Sequence, residues 1–384
     1  MNNFITADKC RVCGHNFFEE ALLKYENMPK AAQFLPDVQS LKDDQGVNLE
    51  VCQCSGCGLV QLSNAPVPYY REVIRASAVS EEMKGFRKNQ FRDFVKKYLL
   101  QRKKIIEIGC GMGEFLSIMQ KFSAESYGLE YSQESIARCV KSGLKVFPGF
   151  VENAAYKINN SPFDAFFILN FLEHLPDPNE TLRGIYNNLT DDGIGLIEVP
   201  NFDMILNKKL FSEFIGDHLF YFTGETLNST LSFNGFEVIE CKVEWYDYII
   251  SAVVKKKKRT DLSDFHKYQA KLKNEIDKYL SLFKDKKVAI WGASHQALAI
   301  ISLLNLSGRI EYVIDSAVFK QGKFTPATHI PIVSPDKLLS NKVDAIIVMA
   351  AGYSDEVAKI IRHNFDKNIN ISILRDYGLE IIKP

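Results

Sequence analysis

The stretch EIGCGMGEF at Glu107–Phe115 constrains this chain more than any other. Glu107 and Ile108 close an apolar run that reads as a strand, Gly109, Gly111 and Gly113 form a turn, and a helix begins near Glu114. Glycines at such a turn let backbone approach a ligand where any side chain would collide. The spacing GxGxG lacks the third glycine of GxGxxG. GLEYS then ends the next strand on Glu130, 21 residues beyond Gly109. That is the position from which a carboxylate accepts both hydroxyls of a ribose.

Around this turn, short apolar runs (KIIEIG, SYGLEY, DAFFILN, GIGLIEVP) alternate with amphipathic stretches such as Glu114–Phe122 and Gln133–Ser142. The rhythm predicts an α/β fold, a parallel sheet with crossover helices. At 384 residues the chain is too long for one ordinary core. A second strand-turn-helix begins at KKVAIWGASHQALAIISLL and is followed by IEYVIDS, VDAIIVMA and NISILRD, another nucleotide-fold unit. Between the two, Lys255–Arg259 and the glycine-free stretch Asp261–Lys287 read as a solvated face and a linker helix. The predicted segments are 1–68, 69–258, 259–286 and 287–384.

Lysine plus arginine equals aspartate plus glutamate at 47 each, so no global field draws in nucleic acid or an anionic membrane. No apolar run reaches the length of a membrane span, and MNNFITADKC has no secretion-signal pattern. A cytoplasmic protein is expected, its eight cysteines being thiols or metal ligands. Five of them crowd the first sixty residues. Cys10 and Cys13 form one CxxC and Cys54 and Cys57 a second, each followed by a glycine, Gly14 or Gly58. Two such pairs predict one tetrahedral Zn2+, and four thiolates leave no open position, so the ion is structural. Cys52, two residues before Cys54, is an alternative fourth ligand.

The glycine turn with Glu107, the strand Phe163–Leu169 opening into a loop with Asn170, Glu173 and His174, and LTDDGIGLIEVPN together resemble a class I S-adenosylmethionine-dependent methyltransferase. The resemblance implies a Rossmann-like sheet and assigns donor contacts to Glu107, Gly109, Gly111, Gly113, Glu130 and Asn170. CRVCG with CSGCGLVQL, GDHLFYFTGETL, and FKQGKFTPATHIPIVSP at Phe319–Pro335 make nearly the whole chain similar to the three-domain sugar C-methyltransferases. Those pair an N-terminal zinc module with a methyltransferase core and a C-terminal Rossmann-like domain. The resemblance implies a small-molecule acceptor, a nucleotide-linked keto sugar, whose nucleotide lies against the C-terminal side; a monomer and a homodimer both fit.

The family signature Tyr-His-Glu-His, with its second histidine as base, appears here as Ile215, Gly216, Asp217 and His218. The histidine is kept, the aspartate shortens the glutamate, and two members are missing. His174 matches a second family histidine, while Arg75 stands where a family tyrosine is expected. In the C-terminal unit the glycine loop reads WGASHQALA, and the family's Trp-Asn appears as Ala351, Gly352 and Tyr353. The sulfonium donor carries an already electrophilic methyl group, so the enzyme must align an acceptor and remove its proton. His218 is the expected base, with His174 and Asp217 beside it. Asp217 is read as orienting a substrate hydroxyl. Arg75, Tyr221, Ser294 and His295 are candidate acceptor contacts. Methylation on oxygen or nitrogen, and a non-catalytic donor-binding protein, are the alternatives.

Overall fold

The computed structural model describes residues 6–33, 35–72, 79–123 and 125–383. Arg75 lies outside them. Contacts divide the chain into two compact units, 1–259 and 260–384.

The first unit begins with a small antiparallel sheet. Its strands are β1 (Leu23–Met28), β2 (Val47–Gln53) and β3 (Val60–Leu62). The central sheet follows with β4 (Ile105–Ile108), β5 (Ser126–Glu130), β6 (Val146–Pro148), β7 (Phe163–Leu169) and β8 (Leu189–Pro200). The two-residue β9 (Phe220–Tyr221) returns to the small sheet, and β10 (Phe236–Glu244) and β11 (Ile249–Lys256) finish the central one. The orders are β1-β2-β3-β9 and β10-β11-β8-β7-β4-β5-β6. From β6 to β8 the pairs are parallel, and β11 joins β8 antiparallel. All four residues of β4 are buried, as a central parallel strand covered by helices on both faces requires.

Local chemistry fixes the helix starts. Ser80 accepts from the Met83 N–H to open α1 (Glu81–Lys97). Gly113, at φ +81°, leads into α2 (Glu114–Met119), and Ser132 caps α3 (Gln133–Lys141). Asp177 caps α4 (Pro178–Asn187), whose first residue is the proline favoured there. The strand order reverses between β4 and β7. The carboxyl ends of those two strands therefore open a crevice, the usual ligand position in such sheets.

The predicted linker region forms the helix Ser263–Ser281. Its Leu272, Ile276, Tyr279 and Leu280 are buried in the core of the second unit. That unit has strands β12 (Val288–Trp291), β13 (Val313–Ile314), β14 (Ile332–Val333), β15 (Ala345–Val348), β16 (Asn370–Arg375) and β17 (Gly378–Ile382), in the order β14-β13-β12-β15-β16-β17. Only β17 runs antiparallel to its neighbour. Among the described residues no helix is long and apolar enough to cross a membrane.

Candidate functional site

At the carboxyl end of β4 the chain turns through Gly109, Gly111 and Gly113, all at positive φ. The three differ in why they must be glycine. A Cβ on Gly109 would lie 2.7 Å from the Phe171 ring and one on Gly113 2.3 Å from Leu144, whereas one on Gly111 would meet nothing. The space beside Gly111 is part of a cavity of about 630 Å3. Glu130 ends β5 alongside, accepting from the Gly111 and Ser132 N–H groups, each at 2.8 Å. Burial raises its carboxyl above the ordinary carboxylate range, against the opposing pull of those amides. Tyr131 and Phe150 border a smaller recess on the Glu130 side, where the Arg71 guanidinium lies over both rings.

The same cavity takes in Glu107, Asn170, Glu173, His174, Asp217 and His218. Asn170, at φ +49°, is the turn leaving β7, and its buried Oδ1 has no hydrogen-bond partner. Glu173 and His174 occupy a 3-10 turn (Leu172–His174). The sequence presents this loop as polar, but Glu173 is 1% and His174 6% exposed. With water excluded, burial pushes the Glu173 carboxyl up to about 8 and the His174 imidazole down to about 4. His174 Nδ1 lies 2.7 Å from the Asp217 carbonyl, so that nitrogen carries the proton and Nε2 keeps its lone pair. The His218 ring meets the His174 ring edge to face, centroids 4.7 Å apart. Burial, and secondarily His174, lower its pKa to about 3. Both imidazoles are neutral.

Asp217 has a different place from the one its sequence suggests. Its carboxylate is buried and accepts from the Ala32 N–H at 3.2 Å and the Tyr69 hydroxyl at 2.9 Å. Those bonds hold the His218 loop to the chain before α1. Tyr69, Trp245 and Tyr248 were not singled out from the sequence. Tyr69 binds Asp217, and Trp245 and Tyr248 line the cavity. Tyr221 is a correction: it packs on Phe202 and Phe214 in the small sheet's core, and its hydroxyl bonds the Ile215 backbone. It forms no part of the cavity wall.

At the N-terminus, Cys10, Cys13, Cys54 and Cys57 bring their sulfurs within 4.8 Å of one another. Cys10 and Cys57 are separated by 3.7 Å and Cys13 and Cys54 by 3.3 Å. The edge of a zinc tetrathiolate tetrahedron is about 3.8 Å, so the set fits that ion. Gly14 and Gly58, both at φ +75°, close equivalent turns, and Gly56, Cys57 and Gln61 donate to the sulfurs. Cys52 sits in β2 and is outside the group, which settles the fourth sulfur of the cluster as Cys54.

In the second unit Ser294 caps the helix His295–Leu303, and His295 is exposed at its first position. Asp315 ends β13 as a ribose-binding carboxylate would. Here it accepts from Lys320 Nζ at 2.8 Å and the Ala293 N–H at 2.9 Å, so a lysine already meets its charge.

Two family models match the chain: a methyltransferase domain over residues 83–241 and a C-methyltransferase C-terminal domain over residues 250–372. The C-methyltransferase NovU of Streptomyces niveus is 22% identical over 91% of both chains. Among solved structures, an S-adenosylmethionine-dependent methyltransferase from Clostridium acetobutylicum aligns at 14% identity and TM-score 0.38, over 49% of this chain and 96% of that one. A protein from Pyrococcus horikoshii aligns at 14% identity and TM-score 0.41, over 49% and 98%.

Proposed function

We propose that this chain, a class I S-adenosylmethionine-dependent methyltransferase resembling the C-methyltransferases, methylates a carbon beside the ketone of a nucleotide-linked sugar, with His218 as general base. The observation carrying this reading is the neutral imidazole pair His174 and His218, set in the cavity that also contains the glycine turn. The donor, when bound, supplies an electrophilic methyl group. Glu130 would accept hydrogen bonds from its ribose hydroxyls, Gly111 would leave room for the nucleoside, and Glu107 and Asn170 would serve the methionine end.

A carbon acceptor differs from an oxygen or nitrogen one in needing a C–H proton removed, which makes a positioned base indispensable. Burial leaves His218 unprotonated at neutral pH but also lowers its proton affinity, so the base role rests on its place in the cavity beside His174 and not on that shift. His174 cannot share that task from Nδ1, whose proton is committed to the Asp217 carbonyl. It packs against His218 and holds the ring. Asp217 positions the loop through Tyr69 and Ala32. The four cysteines hold a structural Zn2+.

The test is transfer of a 13C-labelled methyl group to candidate nucleotide-linked keto sugars by the wild type and by His218→Asn. A C-methyl resonance that disappears in the variant, with donor affinity retained, supports the reading. An O-methyl or N-methyl product, or undiminished turnover by the variant, contradicts it.

A further inference from the structure

We propose that Glu173, His174 and His218 form a binding site for a divalent transition-metal ion, separate from the cysteine cluster and open to the methyl-transfer cavity. Their donor atoms lie within 4.8 Å of one another. His174 Nε2 lies 3.9 Å from Glu173 Oε1, too long for a hydrogen bond. Glu173 Oε2 is buried without a hydrogen-bond partner, although buried polar atoms are paired in the great majority of cases. Asn170 Oδ1, on the wall of the same cavity, is in the same state. Two orphaned oxygens beside two imidazoles leave a collection of lone pairs that no protein donor satisfies.

The surroundings of His174 fit a ligand more closely than a proton acceptor. Its Nδ1 proton goes to a backbone carbonyl, the contact that fixes the tautomer of a metal-binding histidine and turns Nε2 toward the ion. Two imidazoles and one carboxylate suit Zn2+, Fe2+ or Co2+, and leave further positions for oxygen ligands from the cavity side. With bonds of about 2.1 Å the donor atoms of an occupied site stand roughly 3.0 to 3.5 Å apart, so binding draws this group together by about 1 Å.

One consequence rests on the base assignment made above; the site itself does not. An imidazole nitrogen holding a cation has no lone pair for a proton. In the metal-bound state His218 removes no proton, and carbon methylation through it stops.

The experiment is a Co2+ titration of the full-length protein with its cysteine cluster already zinc-loaded, followed by d–d absorption and equilibrium dialysis. The site predicts one further equivalent of Co2+. Its affinity falls by more than about tenfold in Glu173→Gln and in His218→Asn, each checked for folding by circular dichroism and for donor binding by calorimetry. No further equivalent in the wild type, or one bound equally well by both folded variants, overturns the proposal. Turnover that continues with the second equivalent bound leaves the site standing and removes His218 as the base.

Discussion

Leu62 and Leu219 are joined by a backbone hydrogen bond, the Leu62 N–H donating to the Leu219 carbonyl at 2.9 Å. Leu219 follows His218, and its own N–H donates to the Glu173 carbonyl at 2.8 Å. The loop carrying the proposed base is thus clamped between β3 and the 3-10 turn, and β3 begins three residues after the last cysteine of the cluster. Cys10, Val12, Cys54 and Leu59 also share a core with Leu172, Leu219 and Phe222.

Loss of the four-cysteine cluster therefore acts on turnover before it acts on donor binding. Cys13→Ser or Cys57→Ser is expected to lower kcat by about 100-fold, the scale of a 1 Å misplacement of a reacting group. Donor affinity, set by β4 and β5, stays close to wild type. Stopped-flow turnover beside calorimetry checks this; a folded cysteine variant with full kcat contradicts the clamp.

Tyr69→Phe removes the hydroxyl that donates to the buried Asp217 carboxylate. A buried acceptor deprived of its partner costs about 1 to 3 kcal/mol. Urea unfolding of the variant should show a loss in that range with an unchanged m-value.

How much of this was legible in the sequence depends on range. The strand Phe163–Leu169 and the starts of the helices at Glu114 and Gln133 stand where local pattern puts them, because a buried strand and a glycine or serine cap are written in adjacent residues. The pairing of β3 with β9 joins Val60 to Tyr221, a separation no periodic signal spans. For that reason Tyr221 read as a pocket residue and Tyr69 went unnoticed. Glu173 differs again: the sequence presents it in a polar loop, whereas it is 1% exposed and its carbonyl accepts from the Leu219 N–H, 46 residues on. The choice of Cys54 over Cys52 follows from β2, which carries Cys52 along the sheet and ends at Gln53, just before the knuckle.

Donor affinity should fall on acidification, beginning above the ordinary carboxylate range. Burial raises the Glu130 carboxyl, so it is protonated at a higher pH than a solvated glutamate. The neutral acid keeps one oxygen for donation and loses acceptor strength toward the ribose. Calorimetric titration of S-adenosylhomocysteine from pH 8 downward should show weakening in the wild type and a flat, weaker profile in Glu130→Gln. Equal slopes in the two proteins contradict the assignment.

Arg87 and Glu198 form an ion pair in which both side chains are wholly buried. Glu198 lies on β8, and its carbonyl accepts from the Asn170 N–H, while Arg87 lies over the Phe115 ring of α2. Removing one partner leaves an uncompensated charge, so Glu198→Leu is expected to cost about 3 to 5 kcal/mol. The double variant Arg87→Met, Glu198→Leu should recover most of it, measurable in denaturant unfolding.

The crevice between β4 and β7 is the proposed donor site, on which the other assignments rest. Isothermal titration of the purified protein with S-adenosylmethionine tests it most directly, alongside Gly111→Val, whose side chain would enter the space beside the turn. The prediction is one donor per chain in the wild type, with binding abolished in a variant that still folds. Absence of binding to the wild type, or unimpaired binding to a folded Gly111→Val, would contradict it.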